Sequence, residues 1–413
     1  MSQRAIHLYA LLGPGILFAA SAIGVSHLVQ STRAGAMYGL AMIPILLVAC
    51  AAKYPSLLFG LLYPAHTGRT LLHSYREAGA PIFIAYLALV IFAMWFTLAA
   101  IAVTTAGLWQ ALVGPPASIS GATAAMLGLA GAVLLSGRYS GLEHISKILL
   151  GLLAILLPIA TLLVLPKLDF TQATLWQVNW DIPTIAFIIA LTGWMPIPVD
   201  ASVTSSTWAA SRNAQTHQVT APYEAKLDFN VGYAAATVFA VCFLLLGAGV
   251  LHTANVAPPD GAGAFASMVI ELFTAQLGDW SFYLIGTIAF VTMFTTLLTV
   301  LDGQVRVLQF AAALFKPEIL QAKRIYPVGV VLYGLGGLSV VMFFMQSFTT
   351  FISFVTSLGF LLAPAVVVLN HRAMFGGEIP NAQQPPRYLY WWSLVGGLAL
   401  CSASAVYFYL LIS

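Results

Sequence analysis

Apolar residues fill this chain in long runs, and polar residues gather in the short stretches between them. Eleven runs, near residues 10–30, 39–62, 81–107, 117–136, 143–165, 184–209, 229–251, 280–302, 327–346, 349–370 and 389–411, are each long enough to cross about 30 Å of hydrocarbon as a helix. The longest polar connections are 166–183, 210–228 and 252–279, and none is long enough to fold alone. Inside a bilayer every backbone N–H and C=O must be bonded internally, which a helix achieves segment by segment. The pattern predicts an all-α polytopic membrane protein, with residues 1–413 forming a single transmembrane domain.

Charge supports the same reading. Of 413 residues, 60% are hydrophobic and 7% charged, against about 25% charged in an ordinary soluble domain. With the N-terminus in the cytoplasm and the loops assigned alternately, 14 of the 16 basic residues, Lys53 among them, fall on the inner side; Arg33 and Lys167 fall on the outer side. The positive-inside rule expects this bias, and one missing span would scramble it. The expectation is therefore a multi-pass protein of the cell (inner or plasma) membrane, with the C-terminus outside. Residues 10–29 run past the length of a cleaved signal and lack a clear cleavage site. The net charge of +3 without a basic cluster excludes a nucleic-acid partner. Cys50, Cys242 and Cys401 lie in apolar runs and read as packing residues. Trp176, Trp180, Trp391 and Trp392 near span ends fit an interfacial aromatic belt. Glu143, Asp228 and Asp302, at span ends beside basic residues, read as interfacial ion pairs.

Two spans are irregular. Span 6 contains Gly193-Trp194-Met195-Pro196-Ile197-Pro198-Val199-Asp200, with two prolines and a carboxylate in an apolar run. Proline removes a backbone donor and breaks a helix, exposing carbonyls that a cation or polar solute can use. A carboxylate at the centre of a membrane helix costs about 2.5–3.5 kcal/mol on insertion scales and marks a pathway or a binding site. Span 1 carries Gly13-Pro14-Gly15 and then Ala22-Ile23-Gly24-Val25-Ser26-His27. Two broken spans at matching positions of two five-span halves point to an inverted-repeat transporter. Spans 1–5 (10–165) would form the first repeat, spans 6–10 (184–370) the inverted second, and span 11 (389–411) an appended helix.

The crossing of the two broken spans is the candidate site. Gly24 permits close backbone approach, and Ser26 and His27 follow it where unwound backbone is reachable. His27 reads either as a histidine satisfied by a carbonyl or as a ligand and titrating group. Met195 reads either as core packing or as a soft metal ligand. Asp200 needs a partner in either case, and His27 is the candidate for it. Thr204 in span 6 and Thr295 in span 8, within a stripe of threonines, either bond back to their own helices or line a route. Enzymatic motifs, such as a phosphate-binding loop, a nucleophile elbow or a His-Glu metalloprotease pair, do not occur in the sequence.

Several of these residues resemble the Nramp-type divalent-metal transporters. Gly13-Pro14-Gly15, the span-1 break nine residues on, Ala34-Gly35-Ala36 and Tyr38-Gly39 look like the opening of that family, and Met195-Pro196 is similar to its Met-Pro-His segment. Gly141-Leu142-Glu143 resembles its Arg-Leu-Glu motif ahead of span 5. The resemblance implies the amino-acid/sodium-symporter-like fold of five plus five spans and an eleventh helix, with spans 1 and 6 discontinuous. It implies a secondary transporter working by alternating access, by default for a divalent metal ion. The departures are equally clear. Gly24-Val25-Ser26-His27 stands where the family has Asp-Pro-Gly-Asn, Ile197 replaces its histidine, and no acid lies between Ile82 and Leu108. Asp200 would then relocate the lost carboxylate, with His27, Met195 and Asp200 as metal ligands and His27 and Asp200 as proton carriers. The alternative is a same-fold transporter of a small organic solute, such as an amino acid or a carboxylate, bound at the Gly24-Val25-Ser26 break. The expected partners are the bilayer and a small ion or solute, the expected transport unit is a monomer, and no cofactor beyond a transported metal or proton is implied.

Overall fold

The computed structural model describes residues 23–114, 118–137, 139–172, 178–216 and 218–412. Gly13-Pro14-Gly15, Ser21, Arg4, Arg138 and Trp176, and the side chains of Glu143 and Lys147, lie outside the described residues. Among the described residues there is no strand. Helix α1 starts as a π-helical turn, Ser26–Ser31, and continues as Thr32–Tyr38. It is followed by α2 (Met42–Thr67), the short α3 (Leu71–Glu77), α4 (Ala80–Val113), α5 (Ile119–Ser136) and α6 (Tyr139–Val164). The second half of the chain holds α7 (Ile182–Trp194), α8 (Ala201–Thr216), α9 (Pro222–Gly247), α10 (Ala262–Leu277), α11 (Ser281–Ala313), α12 (Ile325–Phe344), α13 (Phe348–Phe375) and α14 (Arg387–Ile412).

Each apolar run from residue 39 onward has its helix, and the departures follow from composition. Span 6 is split into α7 and α8, as the two prolines require. Helices α9 and α11 extend into polar sequence, from Pro222 and to Ala313, where backbone bonding continues past the apolar stretch. The connection 252–279 contains α10, which the polar composition of its first residues concealed. Lys53 needs a larger correction. It was counted with the inner-surface cations, yet it lies within α2 and is completely buried. Arg33, counted as an outer-loop residue, is also buried within α1. The ion pair expected of Asp302 forms, within α11: its carboxylate pairs with Arg306 at 2.7 Å and accepts from Tyr326. Asp228 is instead buried in α9.

Helices in lipid gain no hydrophobic drive from meeting one another, so close packing and small residues bring them together. The Gly193 Cα faces the Thr356 carbonyl of α13 so closely that an added Cβ would stand 1.9 Å from its oxygen. Gly60 of α2 meets Ser202 of α8 in the same way, at 2.4 Å. Helix α2 therefore runs beside both halves of the broken span, with Lys53 level with its upper half and Gly60 level with its lower half. Large apolar side chains such as Val48, Leu332, Phe343 and Val395 face outward, as a lipid-facing surface requires.

Candidate functional site

The break in span 6 can be followed bond by bond. In a continuous helix the carbonyl of residue i accepts from the N–H of i+4. For Thr192 that residue is Pro196 and for Trp194 it is Pro198, and neither has an N–H. Helix α7 stops at Trp194, and Met195 turns to extended backbone, φ −95° and ψ 122°. Helix α8 restarts through Ala201 N–H to Pro198 (3.1 Å), Ser202 to Val199 (3.0 Å) and Val203 to Asp200 (2.9 Å). Asp200 thus sits at the N-terminus of α8, where the helix dipole favours a negative charge. The carbonyls stranded at the end of α7 are met from another helix: the Lys53 ammonium donates to Thr192 O, and to Gly193 O at 2.7 Å. Lys53 and Asp200 lie within electrostatic reach of each other across the break.

Span 1 begins its described part at the same level. The Gly24 carbonyl accepts from the His27 and Leu28 N–H groups at 3.1 and 3.0 Å. The Ser26 hydroxyl donates to Pro196 O at 3.3 Å, which joins the two broken spans directly. A cavity of about 60 Å³ opens beside them, lined by Gly24, Ser26, Trp194, Asp200, Thr204, Ser205, Trp208, Thr296, Thr299 and Gln304 among others. At about 10–15 Å³ per water-sized group, it holds roughly four to six such groups. The Gln304 amide oxygen is buried and has no hydrogen-bond partner.

The sequence candidates divide in two. Gly24, Ser26, Asp200 and Thr204 line the cavity. His27, Met195 and Thr295 are not among its lining residues. The His27 ring is completely buried, with Nδ1 2.9 Å from Ser26 Oγ and Nε2 2.9 Å from the Ala236 carbonyl of α9. The π-helical turn at Ser26–Ser31 carries residue 27 to the α9 side while residues 24–26 face the break. Met195 is buried, and its sulfur accepts from Ser31 Oγ at 3.8 Å. Thr295 bonds back to Val291 O (3.0 Å) and Thr292 O (2.9 Å), while its neighbours Thr296 and Thr299 reach the cavity. Among the described residues no three His, Cys, Asp or Glu side chains gather into a metal-sized group. Asp200 is thus the one member of the expected metal triad that reaches the cavity.

Sequence reasoning missed Lys53, Gln304 and the two tryptophans of the wall. A lysine inside an apolar run was itself a signal, but it was assigned to a loop. Polar clusters tie the helices together on either side of the break. Arg33 donates to Gln30 Oε1 (3.0 Å), Ser353 Oγ (2.8 Å) and Thr349 O (3.3 Å), and its guanidinium lies 5.3 Å from the Phe187 ring. Gln30 in turn donates to Thr356 Oγ1 at 2.8 Å, so α1 is bound to α13. On the other side, Asn370 of α13 donates to Ser56 Oγ (2.9 Å) and Ser202 Oγ (2.8 Å) and accepts from Tyr75 (2.6 Å), joining α2, α8 and α3.

A broken helix that meets the start of α1 beside a small cavity, within a helical membrane bundle, defines an architecture that known proteins share. The structure superposes on a mutant of the Eremococcus coleocola manganese transporter with a TM-score of 0.71 at 14% identity, covering 97% of this chain and 86% of that one. It superposes on MhsT in complex with L-phenylalanine with a TM-score of 0.66 at 16% identity, covering 96% of this chain and 97% of that one. An uncharacterized protein of Pasteurella multocida (strain Pm70) is 29% identical over 408 residues, 97% of this chain and 92% of that protein. No family model matches the chain. The fold is therefore the discontinuous-helix transporter fold expected from the sequence, and the Nramp resemblance holds at the level of that fold.

Proposed function

We propose that this protein is a secondary transporter that carries a small solute bearing an amino group, such as an amino acid or a primary amine, by alternating access. The observation that carries the reading is the makeup of the cavity: one carboxylate, Asp200, with Gln304, threonines and the indoles of Trp194 and Trp208 in an otherwise largely apolar wall. An ammonium group has three donors and no acceptor, and it matches a carboxylate flanked by neutral acceptors. Indole walls add cation–π attraction. The volume suits about four to six non-hydrogen atoms, on the water-sized-group scale used above. MhsT, which shares the fold, has been solved in complex with L-phenylalanine.

A divalent metal ion fits this ligand set less well. Hard cations take six or more oxygen ligands, and softer ones prefer imidazole or sulfur. Here His27 and Met195 are engaged elsewhere. The fold match to a manganese transporter keeps metal as the competing cargo. Asp200 is the titratable group on the cavity, so proton coupling, if present, is assigned to it, with His27 in support. A cytoplasmic N-terminus in the cell membrane completes the proposal, on the charge bias of the loops.

Thermal unfolding of the purified protein against a panel of amino acids, primary amines and divalent metals tests this, followed by uptake into proteoliposomes. A saturable rise in Tm with an amino-bearing solute is the expected result, since a ligand of the folded state stabilises it. Stabilisation by Mn²⁺ or another divalent ion, with none from any amine, would return the site to metal transport.

A further inference from the structure

Lys53 is a group that the binding proposal does not use, and burying it is costly. A lysine ammonium inside a membrane bundle has to be paired or bonded to carbonyls. Its partners are two carbonyls at the C-terminal end of α7, Thr192 O and Gly193 O. One of these lost its helical donor to Pro196, and the other, Gly193 O, is in the last turn, where the i+4 residue Ile197 lies past the end of the helix. That end of a helix also carries the negative pole of its dipole. Stranded carbonyls at the negative end of a broken helix form a cation site by construction, and here the cation is covalently attached to α2.

We propose that Lys53 is the resident cation of the span-6 break: its tethered ammonium occupies the carbonyl position that a free monovalent cation would otherwise fill. Three observations support a placed charge rather than an accidental one. The side chain is completely buried and reaches its partners from a different helix, 139 residues away in sequence. Pro196 removes the helical donor of Thr192 O, and the Lys53 bond replaces it. Asp200, on the opposite side of the break, lies within its electrostatic reach. The proposal relies on the transporter reading only for its consequence, that no alkali ion need accompany the solute at this position. Its test does not depend on which solute is carried.

Lys53→Ala removes the three outer methylenes and the ammonium, a fragment that n-propylammonium replaces. The purified full-length variant is melted in choline chloride, and in the same ionic strength with n-propylammonium, Na⁺ or K⁺. The wild type is expected to melt at one temperature in choline, Na⁺ and K⁺, and any shift it shows with n-propylammonium, itself an amine, is subtracted from that of the variant. Lys53→Ala is expected to melt lower in choline and to recover several degrees, saturably, with n-propylammonium or an alkali ion. Uncharged 1-propanol is the control for filling space. Equal recovery with 1-propanol, or no recovery with any of the cations, would overturn the proposal. Lys53→Met covers the case in which the alanine variant does not fold. It fills the space without the charge, and it should melt below the wild type regardless of salt. A methionine variant as stable as the wild type would equally overturn it.

Discussion

The Lys53 ammonium lies 2.7 Å from the carbonyl oxygen of Gly193, so a charge on span 2 completes the hydrogen bonding of a helix that span 6 leaves unfinished. The same break places Asp200 at the start of the next half-helix. The site is thus built from the two ends of one interruption: carbonyls with a lysine above, a carboxylate and a small polar cavity below.

Asp200 is expected to anchor the solute. Asp200→Asn keeps the shape and removes the charge, and a charge-assisted hydrogen bond contributes about 1.5–3 kcal/mol, or roughly ten- to hundredfold in affinity. Isothermal titration or uptake kinetics with the solute found by screening measures the loss. Unchanged affinity in Asp200→Asn would remove the carboxylate from the site.

His27 is expected to matter for stability and not for affinity. Its ring bridges Ser26 and the Ala236 carbonyl, so His27→Ala loses two buried hydrogen bonds, each worth about 0.5–1.5 kcal/mol. The variant should melt lower while binding solute as before. A loss of solute or metal affinity at unchanged Tm would make His27 a ligand, as the sequence allowed.

Gly193→Ala tests the seam between α7 and α13. The new methyl group would stand 1.9 Å from Thr356 O, which is backbone and cannot turn aside. Overpacking of this kind costs about 1–3 kcal/mol or more. A lower Tm, with the broken span displaced from α13, is the expected outcome. A variant as stable as the wild type would show that the two helices do not meet this closely.

Asp260, in the connection before α10, supplies a pH dependence. Hydrogen bonds from Thr349, then from Ser347, hold its carboxyl below the ordinary aspartate range. A lowered folded-state pKa stabilises the fold above the unfolded value, near 3.9, and the contribution is lost as pH falls through the folded value. The difference in Tm between wild type and Asp260→Ala should therefore be constant from neutral pH to about 5 and shrink below about 4. A difference that grows on acidification would contradict this arrangement.

Much of the fold was legible in one dimension. A span needs only length and apolar composition, and those are local properties, so the runs from residue 39 onward appear as helices and the prolines mark where one of them breaks. Asp200 and Gly24 were legible for the same reason, as an acid and a glycine where apolar sequence should continue. Lys53 carried an equally local signal, but its reading depended on a partner. A lysine in an apolar run is explained only once the stranded carbonyls of Thr192 and Gly193 are known to lie beside it.

The sequence by itself determined that this chain crosses a membrane repeatedly, that span 6 is interrupted, and that an acid sits at the interruption. It could not decide which side chains share the cavity. That depends on rotation: the π-helical turn of α1 carries His27 against α9 while Ser26 reaches Pro196. Neighbouring residues on a helix point in different directions, so a shift of a fraction of a turn separates a ligand from a packing residue. Tertiary packing alone set that angle, and it paired the unbonded carbonyls of one helix with the ammonium of another.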